Sequence, residues 1–244
     1  MKDTSWDKVA RWYDRSLTRG SDLHRDVVTP GALRLLGPKK GERILDVGCG
    51  QGFFCNELSR RGAEATGVDA SKRLIQTAAQ RWKGPRFLVG DAGKLEGSYD
   101  ALVCILALQN MEPLADLVRS MSRALKSGGR LVWVLNHPCF RIPRQSGWGF
   151  DDKRKLQFRR VDRYMSPMKI PIQMHPGAAP SVHTWTFHHP LSGYFGALAA
   201  CGLAVDALEE WVSERSSQAG PRAGAEDSAR SEIPMFLALR ARKG

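Results

Sequence analysis

The sequence has no apolar run that approaches the roughly 20 residues of a membrane-spanning helix. Its start, MKDTSWDKVARWYD, is charged and aromatic, and it lacks the apolar stretch and small-residue cleavage site of a secretory signal. Hydrophobic residues make up 42% and charged residues 25% of the chain, which is ordinary globular composition. We therefore expect a soluble, cytoplasmic protein with no membrane partner.

Cysteine is sparse, and its distribution excludes two common uses. The five cysteines are odd in number, widely scattered and include no C-x-x-C pair of the kind that marks zinc and redox sites. They are Cys49, Cys55, Cys104, Cys139 and Cys201. We expect reduced, mostly buried thiols and no metal site.

Acidic residues are outnumbered, with 25 against 37 basic residues, so the net charge is +12. Half of this excess lies between Arg141 and Lys169, where nine basic residues accompany three acidic ones. Such a segment is compatible with an anionic small substrate, with a nucleic acid, or with a face that is merely solvated. All three interpretations stay open at this point.

Short apolar runs alternate with helical patterns of 10 to 15 residues, which is typical of βαβ units in a parallel sheet. The runs are ILDVGCG, ATGVD, RFLVGD, YDALVCIL and RLVWVLN, followed later by GLAVDALEEW and PMFLALRA. The pattern predicts an α/β fold with a doubly wound, mostly parallel seven-stranded sheet and helices on both faces. From His137 to about Pro190 the periodicity dissolves into an irregular, aromatic and basic stretch.

The strongest local signal is the turn D-V-G-C-G-Q-G, from Asp46 to Gly52, between a buried strand and a helix. Glycines there let the backbone turn tightly and approach a ligand at the carboxyl edge of the sheet. The next strand ends in Asp69, 21 residues after Gly48, where a carboxylate can accept hydrogen bonds from both ribose hydroxyls of a nucleoside. These two features predict an adenosine-type cofactor.

The residue after the turn distinguishes between adenosine cofactors. A nicotinamide enzyme prefers a small third residue, because the helix N-terminus faces pyrophosphate there. Here that position is Phe53, and the glycines are spaced as Gly48, Gly50 and Gly52. The pattern therefore favours a cofactor without phosphates.

In these residues the sequence resembles the class I S-adenosylmethionine-dependent methyltransferases, specifically the small-molecule enzymes with a D-x-G-C-G-x-G turn, over about residues 5 to 135. The resemblance implies in-line transfer of a methyl group from S-adenosyl-L-methionine to an oxygen, nitrogen or carbon atom of a small acceptor, leaving S-adenosyl-L-homocysteine. It implies that the turn lies under the methionine and ribose of the cofactor. The turn residues concerned are Asp46, Gly48, Cys49, Gly50 and Gly52.

The resemblance also implies cofactor contacts outside the turn. These are Tyr13, Asp69, Ala70, Asp91, Ala92 and Leu106. Asp69 takes the ribose, Asp91 lies beside the adenine, and Tyr13 belongs to an N-terminal helix that closes over the site.

A catalytic base is optional in this chemistry, because alignment of donor and acceptor supplies much of the rate. If the acceptor is a hydroxyl, a histidine is suited to take its proton. His137, at the end of the fifth strand, and His188 are the catalytic candidates, with His175 considered beside them. The alternative for His137 is a capped turn in Asn136-His137-Pro138.

The acceptor leaves fewer marks in the sequence than the cofactor does. Our substrate-binding candidates are Trp12, Gln109, Asn110, Asn136 and Arg141. Arg141, with Arg144 and Arg163, is suited to hold a carboxylate or phosphate through forked hydrogen bonds, and on this interpretation the small-molecule substrate is anionic. The alternative is again a solvated basic face.

The domain organisation follows from these assignments. Residues 1–40 form N-terminal helices that cover the cofactor site, the second ending near Leu36, and residues 41–137 and 191–244 form the α/β core. Residues 138–190 are an insertion that covers the substrate, and the polar stretch 213–232 is typical of a surface loop.

Two other functions stay open. The basic charge suggests RNA methylation, although no separate RNA-binding module or basic-aromatic motif is present. A non-catalytic regulator that binds the cofactor is the second alternative, since a fold and a cofactor do not establish turnover.

Overall fold

The structure is a computed structural model that describes residues 23–173, 183–213 and 215–244. It begins with a π-helical segment, His24–Val28, that continues into helix α1, Thr29–Leu36. Gly37 ends α1 in the left-handed conformation, and its N–H donates to the Leu33 carbonyl at 2.8 Å. The predicted end of this helix near Leu36 is confirmed, whereas the predicted first helix lies outside the described residues.

The first half of the core alternates strands and helices as the apolar pattern predicted. Its elements are β1 Arg43–Val47, α2 Phe53–Arg60, β2 Glu64–Asp69, α3 Lys72–Arg81, β3 Arg86–Val89, β4 Tyr99–Ile105, α4 Leu114–Ala124 and β5 Leu125–Asn136. Short 3-10 turns, Ala92–Lys94 and Leu108–Asn110, follow β3 and β4. Ser71 caps α3 by accepting a hydrogen bond from the Leu74 N–H.

The second half adds four strands before the core resumes. Its elements are β6 Ser146–Asp151, β7 Leu156–Val161, β8 Met168–Ile172, β9 Thr184–His188, α5 Leu191–Ala199, β10 Leu203–Trp211, α6 Ala223–Glu232 and β11 Phe236–Lys243. The main sheet has seven strands in the order β3-β2-β1-β4-β5-β11-β10, and only β11 runs antiparallel to its neighbours. The predicted doubly wound, mostly parallel seven-stranded sheet is confirmed.

Both faces of the sheet are covered by apolar layers. One layer packs α4 and α5 around the fully buried Trp133, and the other packs α1 and α2 around Leu36 and Phe54. Buried strands such as β4, with four consecutive buried residues from Ala101, explain why the sequence shows continuous apolar runs rather than alternation.

Three local expectations are corrected. Residues 138–190 are not irregular throughout, since β6 pairs with β7 and β8 pairs with β9 as antiparallel hairpins. The polar stretch 213–232 contains α6. The sequence EPLADLVRSMSRALK predicts a helix stopped by Gly128-Gly129, but helix α4 already ends at Ala124, because Leu125 pairs with Tyr99 and the chain bulges before the next paired residues.

The hairpins were not predicted because their strands are only partly buried. In β6, Gly149 stands opposite Phe158, and a Cβ at Gly149 would lie 2.4 Å from the Phe158 ring. The glycine thus makes room for an aromatic ring across the ladder, and in the sequence alone it resembled a loop residue.

Candidate active site

The carboxyl ends of β1 to β4 surround a cavity of about 380 Å³, which we call the main cavity. This is the edge at which open α/β sheets bind their ligands. Seven of the predicted cofactor residues line it: Gly48, Gly50, Asp69, Ala70, Asp91, Ala92 and Leu106. The chain order of the strands therefore gathers residues that are 58 positions apart in the sequence, from Gly48 to Leu106, around one space.

The glycine turn is held against the sheet by backbone hydrogen bonds. The N–H groups of Gly48 and Cys49 both donate to the Val68 carbonyl, at 2.8 and 3.1 Å. Gly48 has φ 75°, and a Cβ there would lie 2.5 Å from the Ala107 Cβ. Gly50 has φ 52°, and no atom lies within 4 Å of its ideal Cβ position, so its backbone borders open space.

Asp69 joins the end of β2 to the glycine turn. Its Oδ2 accepts a hydrogen bond from the Gly50 N–H at 3.0 Å, and its Oδ1 accepts one from the Ser71 N–H at 2.8 Å. A carboxylate offers about four acceptor positions, so two such bonds leave it able to accept more. The side chain orders the turn and presents acceptor oxygens to the cavity at the same time.

The far end of the cavity combines one carboxylate with apolar walls. Asp91 starts the short 3-10 turn after β3, where its Oδ1 accepts a hydrogen bond from the Gly93 N–H at 2.8 Å. Beside it the cavity is lined by Ala92, Leu74 and Leu117. A flat heteroaromatic ring with an exocyclic amino group matches this combination of apolar faces and an acceptor.

Asp46 is buried behind the turn, with 2% of its surface exposed, and does not line the main cavity. Burial, with a smaller contribution from the nearby Asp69 charge, raises the pKa of its carboxyl to about 7. The Cys55 thiol donates to its Oδ2 at 3.4 Å and partly offsets this rise. Asp46 lines a neighbouring cavity on the other side of the turn, together with His24 and Gln51.

Two turn residues that the resemblance assigned to the cofactor lie outside the main cavity. Gly52 has φ 74°, and a Cβ there would lie 2.4 Å from the Phe87 ring, so its small size is required by packing. The Trp82 indole N–H donates to the Gln51 carbonyl at 2.9 Å and closes this side of the turn. Cys49 faces the neighbouring cavity.

The wall next to the fourth strand carries backbone strain. Leu106 follows β4 with φ 52°, a left-handed conformation that a branched side chain rarely adopts. Its N–H donates to the Val134 carbonyl of β5 at 2.7 Å, which holds it there. Strain of this kind concentrates at functional sites, and no pattern in the sequence predicted it.

Of the residues predicted to bind the methyl acceptor, Asn110 lines the main cavity, whereas Gln109 and Asn136 bond to each other. The Gln109 amide exchanges two hydrogen bonds with the Asn136 backbone, at 2.9 and 3.1 Å, and so ties the β4 exit to the end of β5. Asn110 donates to the Leu106 carbonyl at 3.3 Å and accepts from the Thr186 hydroxyl at 3.4 Å. Neither Gln109 nor Asn136 lines the cavity.

The two histidines chosen as base candidates are both buried away from the main cavity. His137, 1% exposed, contacts Glu210 Oε1 through Nε2 at 2.6 Å, and its Nδ1 accepts the Cys139 N–H at 3.2 Å. His188, 2% exposed, contacts the Tyr164 carbonyl through Nε2 at 2.6 Å. Burial lowers the pKa of both rings. The contacts match the alternative interpretation of His137 as part of a bonded turn.

The remaining candidates divide between a second cavity and undescribed segments. Arg141 lines a separate cavity of about 600 Å³ that shares no lining residue with the main cavity. Trp12, Tyr13 and His175 lie outside the described residues.

The insertion contributes a group of side chains to the wall of the main cavity, and one of them, Trp185, is an aromatic residue that the sequence suggested as part of an apolar lid. Phe187 and Trp185 of β9 line the cavity opposite Glu112, and the His189 Nε2 bonds to Glu112 Oε1. The Glu112 Oε2 accepts the Leu114 N–H at 3.2 Å, so both carboxylate oxygens are held. In the sequence, the alternation of polar and aromatic residues in TWTFH is the signal that could have indicated this strand. Its position beside the cavity depends on pairing with β8, which is a tertiary contact.

Among the described residues, no cluster of three or more histidine, cysteine, aspartate or glutamate side chains is placed to hold a metal ion. Within the same ranges no helix has both the length and the apolar character to cross a bilayer.

Comparison with known proteins identifies the domain. The family described as "Methyltransferase domain" matches residues 45–133, which contain the glycine turn, Asp69 and Asp91. Over residues 45–133 the chain matches this methyltransferase family, and its fold is that of the S-adenosylmethionine-dependent methyltransferases. A solved S-adenosylmethionine-dependent methyltransferase from Mesorhizobium loti is 27% identical with a TM-score of 0.69, and the match covers 88% of this chain and 96% of that one.

Curated relatives resemble the methyltransferase domain over about half of the chain. A demethylmenaquinone methyltransferase of Tropheryma whipplei is 35% identical over 139 residues, which are 54% of this chain and 58% of the relative. A ubiquinone biosynthesis O-methyltransferase of Alkalilimnicola ehrlichii is 32% identical over 138 residues, which are 51% of this chain and 54% of the relative. The chain thus covers less than two thirds of these relatives.

The residues of the main cavity fit the family's cofactor, S-adenosylmethionine. Gly50 leaves open space where a Cβ would intrude, two carboxylates stand at the ends of β2 and β3, and the wall between them is apolar. Helix α2 begins with Phe53 rather than with the small residue that a diphosphate site prefers. The donor set therefore suits a nucleoside without phosphates.

Proposed function

We propose that this protein transfers a methyl group from S-adenosylmethionine to a small-molecule acceptor that enters the main cavity from the insertion side. The observation that carries the proposal is the convergence of Gly50, Asp69, Asp91 and Leu106 on one cavity at the carboxyl edge of a class I methyltransferase domain. When bound, the cofactor supplies a methyl group on a cationic sulfonium, open to displacement by an acceptor atom.

We propose distinct tasks for the residues of the cavity. Asp69 accepts hydrogen bonds from the ribose, with Ala70 beside it, and Asp91 with Ala92 holds the adenine. Gly48 and Gly50 allow the cofactor to approach the backbone, and Leu106 positions the wall beside the reacting atoms. Asp46, Cys49 and Gly52 shape the turn from behind it.

The acceptor end of the cavity is formed by the insertion and the β4 exit. Asn110, Trp185 and Phe187 line it, and the insertion, residues 138–190, contributes both aromatic rings. These rings cover apolar acceptor surface and exclude water, which strengthens the alignment of donor and acceptor. The relatives named as quinone-pathway methyltransferases make a cyclic, largely apolar acceptor a reasonable first class to screen.

We further propose that neither His137 nor His188 acts as a base in the transfer, because both are buried and bonded elsewhere. We also propose that the acceptor carries an anionic group, in view of the net charge of +12. A cytoplasmic location remains part of the proposal. RNA as the acceptor finds less support, since the main cavity is a compact space of about 380 Å³ rather than a basic groove.

The test is calorimetric titration of the protein with S-adenosylmethionine, with NAD and NADH as controls. We expect saturable binding of the sulfonium cofactor alone, followed by transfer of labelled methyl groups to a member of a metabolite panel. Binding of NAD instead, or of neither ligand by a protein shown to be folded, would contradict the proposal. Cofactor binding without transfer to metabolites or RNA would favour the non-catalytic regulator.

A further inference from the structure

A second cavity of about 600 Å³ lies at the same edge of the sheet, beyond β5 and β10. We call it the arginine cavity, because Arg141, Arg215 and Arg230 line it. Trp148 and Met235 contribute apolar surface to its wall. The cavity is large enough for a metabolite-sized ligand.

Arg141 is the unusual member of this cavity. Its backbone N–H donates to the His137 carbonyl at 2.8 Å, which fixes the residue one turn after β5. Its guanidinium is only partly exposed, and in the described part of the chain it has no hydrogen bond or ion pair to an acceptor. Burial and the neighbouring Arg159 charge lower the pKa of Arg141.

Two other partly buried cations near the cavity, Arg159 and Arg230, have partners, whereas Arg215 is exposed. The Arg159 Nε donates to the Phe140 carbonyl at 2.6 Å, and its Nη2 donates to the Ser146 hydroxyl at 3.0 Å. Arg230 donates to the Ser217 hydroxyl at 2.6 Å and lies 3.4 Å from the Glu226 carboxylate. Among the described, partly buried cations of this region, Arg141 is therefore the one whose side chain has no hydrogen-bond acceptor.

The acidic side chains around the cavity do not compensate it. Glu226 also lines the cavity, but its Oε2 is engaged by Arg230, which also lies 3.6 Å from Asp227. Asp227 accepts the Ser217 N–H at 2.7 Å. A partly buried guanidinium without an anion is unfavourable, because the loss of hydration is not repaid by a partner.

We propose that the arginine cavity binds a small anionic ligand through a carboxylate or phosphate group held by Arg141. The planar guanidinium fork matches either group with two parallel hydrogen bonds. The buried Ser213 and the aromatic Trp148 line the same space and suit the polar and apolar remainder of such a ligand. This inference goes beyond the proposed methyl transfer, since the two cavities share no lining residue.

The experiment titrates the full chain with inorganic phosphate and, separately, with succinate, at ionic strength matched by NaCl, and follows the melting temperature. We expect a saturable rise in Tm for the unaltered protein with one probe or both. Arg141→Met removes the charge but keeps a chain of similar reach, so its Tm should not respond. Without a probe, its Tm should equal or exceed that of the unaltered protein, because an uncompensated charge is gone.

Arg144→Met is the matched control, because Arg144 is an exposed arginine three residues away that does not line the cavity. It should respond to phosphate as the unaltered protein does. If Arg141→Met fails to fold, Arg141→Lys serves instead, and its half-saturating probe concentration should rise at least about fivefold because lysine lacks the fork. An unaltered response in both Arg141 variants, or no saturable response in the parent protein, would overturn the proposal.

A titration with S-adenosylmethionine at saturating probe separates this inference from the proposed function. We expect the cofactor affinity of Arg141→Met to match that of the parent. Failure of the parent to bind the cofactor would leave the phosphate result standing. Likewise, failure of the parent to bind phosphate or succinate would leave the cofactor result standing.

Discussion

At the scale of single residues, Asp69 has two tasks that a substitution can separate. It orders the turn through the Gly50 N–H and presents acceptor oxygens to the main cavity. We expect Asp69→Ala to weaken S-adenosylmethionine binding by about 10- to 100-fold, the value of one or two charged hydrogen bonds. Asp69→Asn keeps the shape of the side chain without its charge. Its affinity for S-adenosylmethionine, measured by calorimetric titration, should lie between those of the parent protein and Asp69→Ala.

Asp100 provides the control for this measurement. Its carboxylate lies at the opposite end of the sheet, where it pairs with Lys126 at 2.6 Å and accepts the Arg43 N–H. Asp100→Ala should leave the cofactor affinity unchanged. A folded Asp69→Ala protein that binds the cofactor as tightly as its parent would remove Asp69 from the site.

Asp46 makes stability depend on pH in an unusual direction. Its pKa is raised to about 7 in the folded protein from an ordinary value of 3.8, so the folded state retains a proton that the unfolded chain releases. The unfolding free energy should therefore be greatest below about pH 4 as far as this group is concerned. It should fall as pH rises to about 7, by an amount on the order of 4 kcal/mol.

Asp46→Asn should remove this contribution, because an amide does not ionise. Urea unfolding between pH 4 and pH 8 measures it, with Asp116→Asn as the control at a side chain that is 55% exposed. Equal pH slopes for Asp46→Asn and the parent protein would show that the carboxyl is not protonated in the fold.

At the scale of elements, His137 connects the end of β5 to β10. Its Nε2 contacts Glu210 in β10, and its backbone N–H donates to the Met235 carbonyl, next to the start of β11. We expect His137→Ala to destabilise the fold by about 2 kcal/mol, since it opens a cavity and breaks buried hydrogen bonds. Methyl transfer by the folded variant should keep the pH profile of the parent.

His137→Gln retains an amide donor and should recover part of the lost stability. Chemical denaturation measures the first effect, and turnover of labelled methyl groups against pH measures the second. Loss of the acidic limb of the pH profile, where protonation of a base slows transfer, in both variants would restore His137 as a general base.

The hairpin β8–β9 illustrates what pattern alone did and did not predict at this scale. Alternation in TWTFH is consistent with a strand, but its pairing with Met168–Ile172 spans a segment of more than ten residues. Only that pairing brings Trp185 and Phe187 over the main cavity. That the insertion covers the substrate thus stays a prediction, and Trp185 and Phe187 are the residues of β9 through which it would do so.

At the scale of the whole molecule, the charge of +12 is partly balanced where it is densest. Within the described hairpins, Arg160 pairs with Asp162 at 2.9 Å, and Asp152 lies 3.6 Å from Arg222. Surface cations of this kind attract RNA without reading it.

We therefore expect RNA binding to be weak and independent of sequence, and to fall at least about tenfold between 50 and 200 mM salt. Filter binding with two unrelated RNAs measures this, and the variant with Arg154→Gln and Lys155→Gln should show a shallower salt dependence. Salt-resistant, sequence-selective binding, or transfer of labelled methyl groups to RNA, would instead support the RNA methyltransferase alternative.

By itself the sequence determined the sheet, its doubly wound order and the cofactor edge, because those rest on local signals: buried runs, helix periodicity and glycines that permit tight turns. It also determined that Asp69 and Asp91 stand at strand ends of the same edge. Only the tertiary structure decided that Gly52 is small for the Phe87 ring, that His137 is bonded to Glu210, and that Arg141 lines a second cavity. Those facts depend on contacts between residues distant in the chain, and no local spacing encodes them.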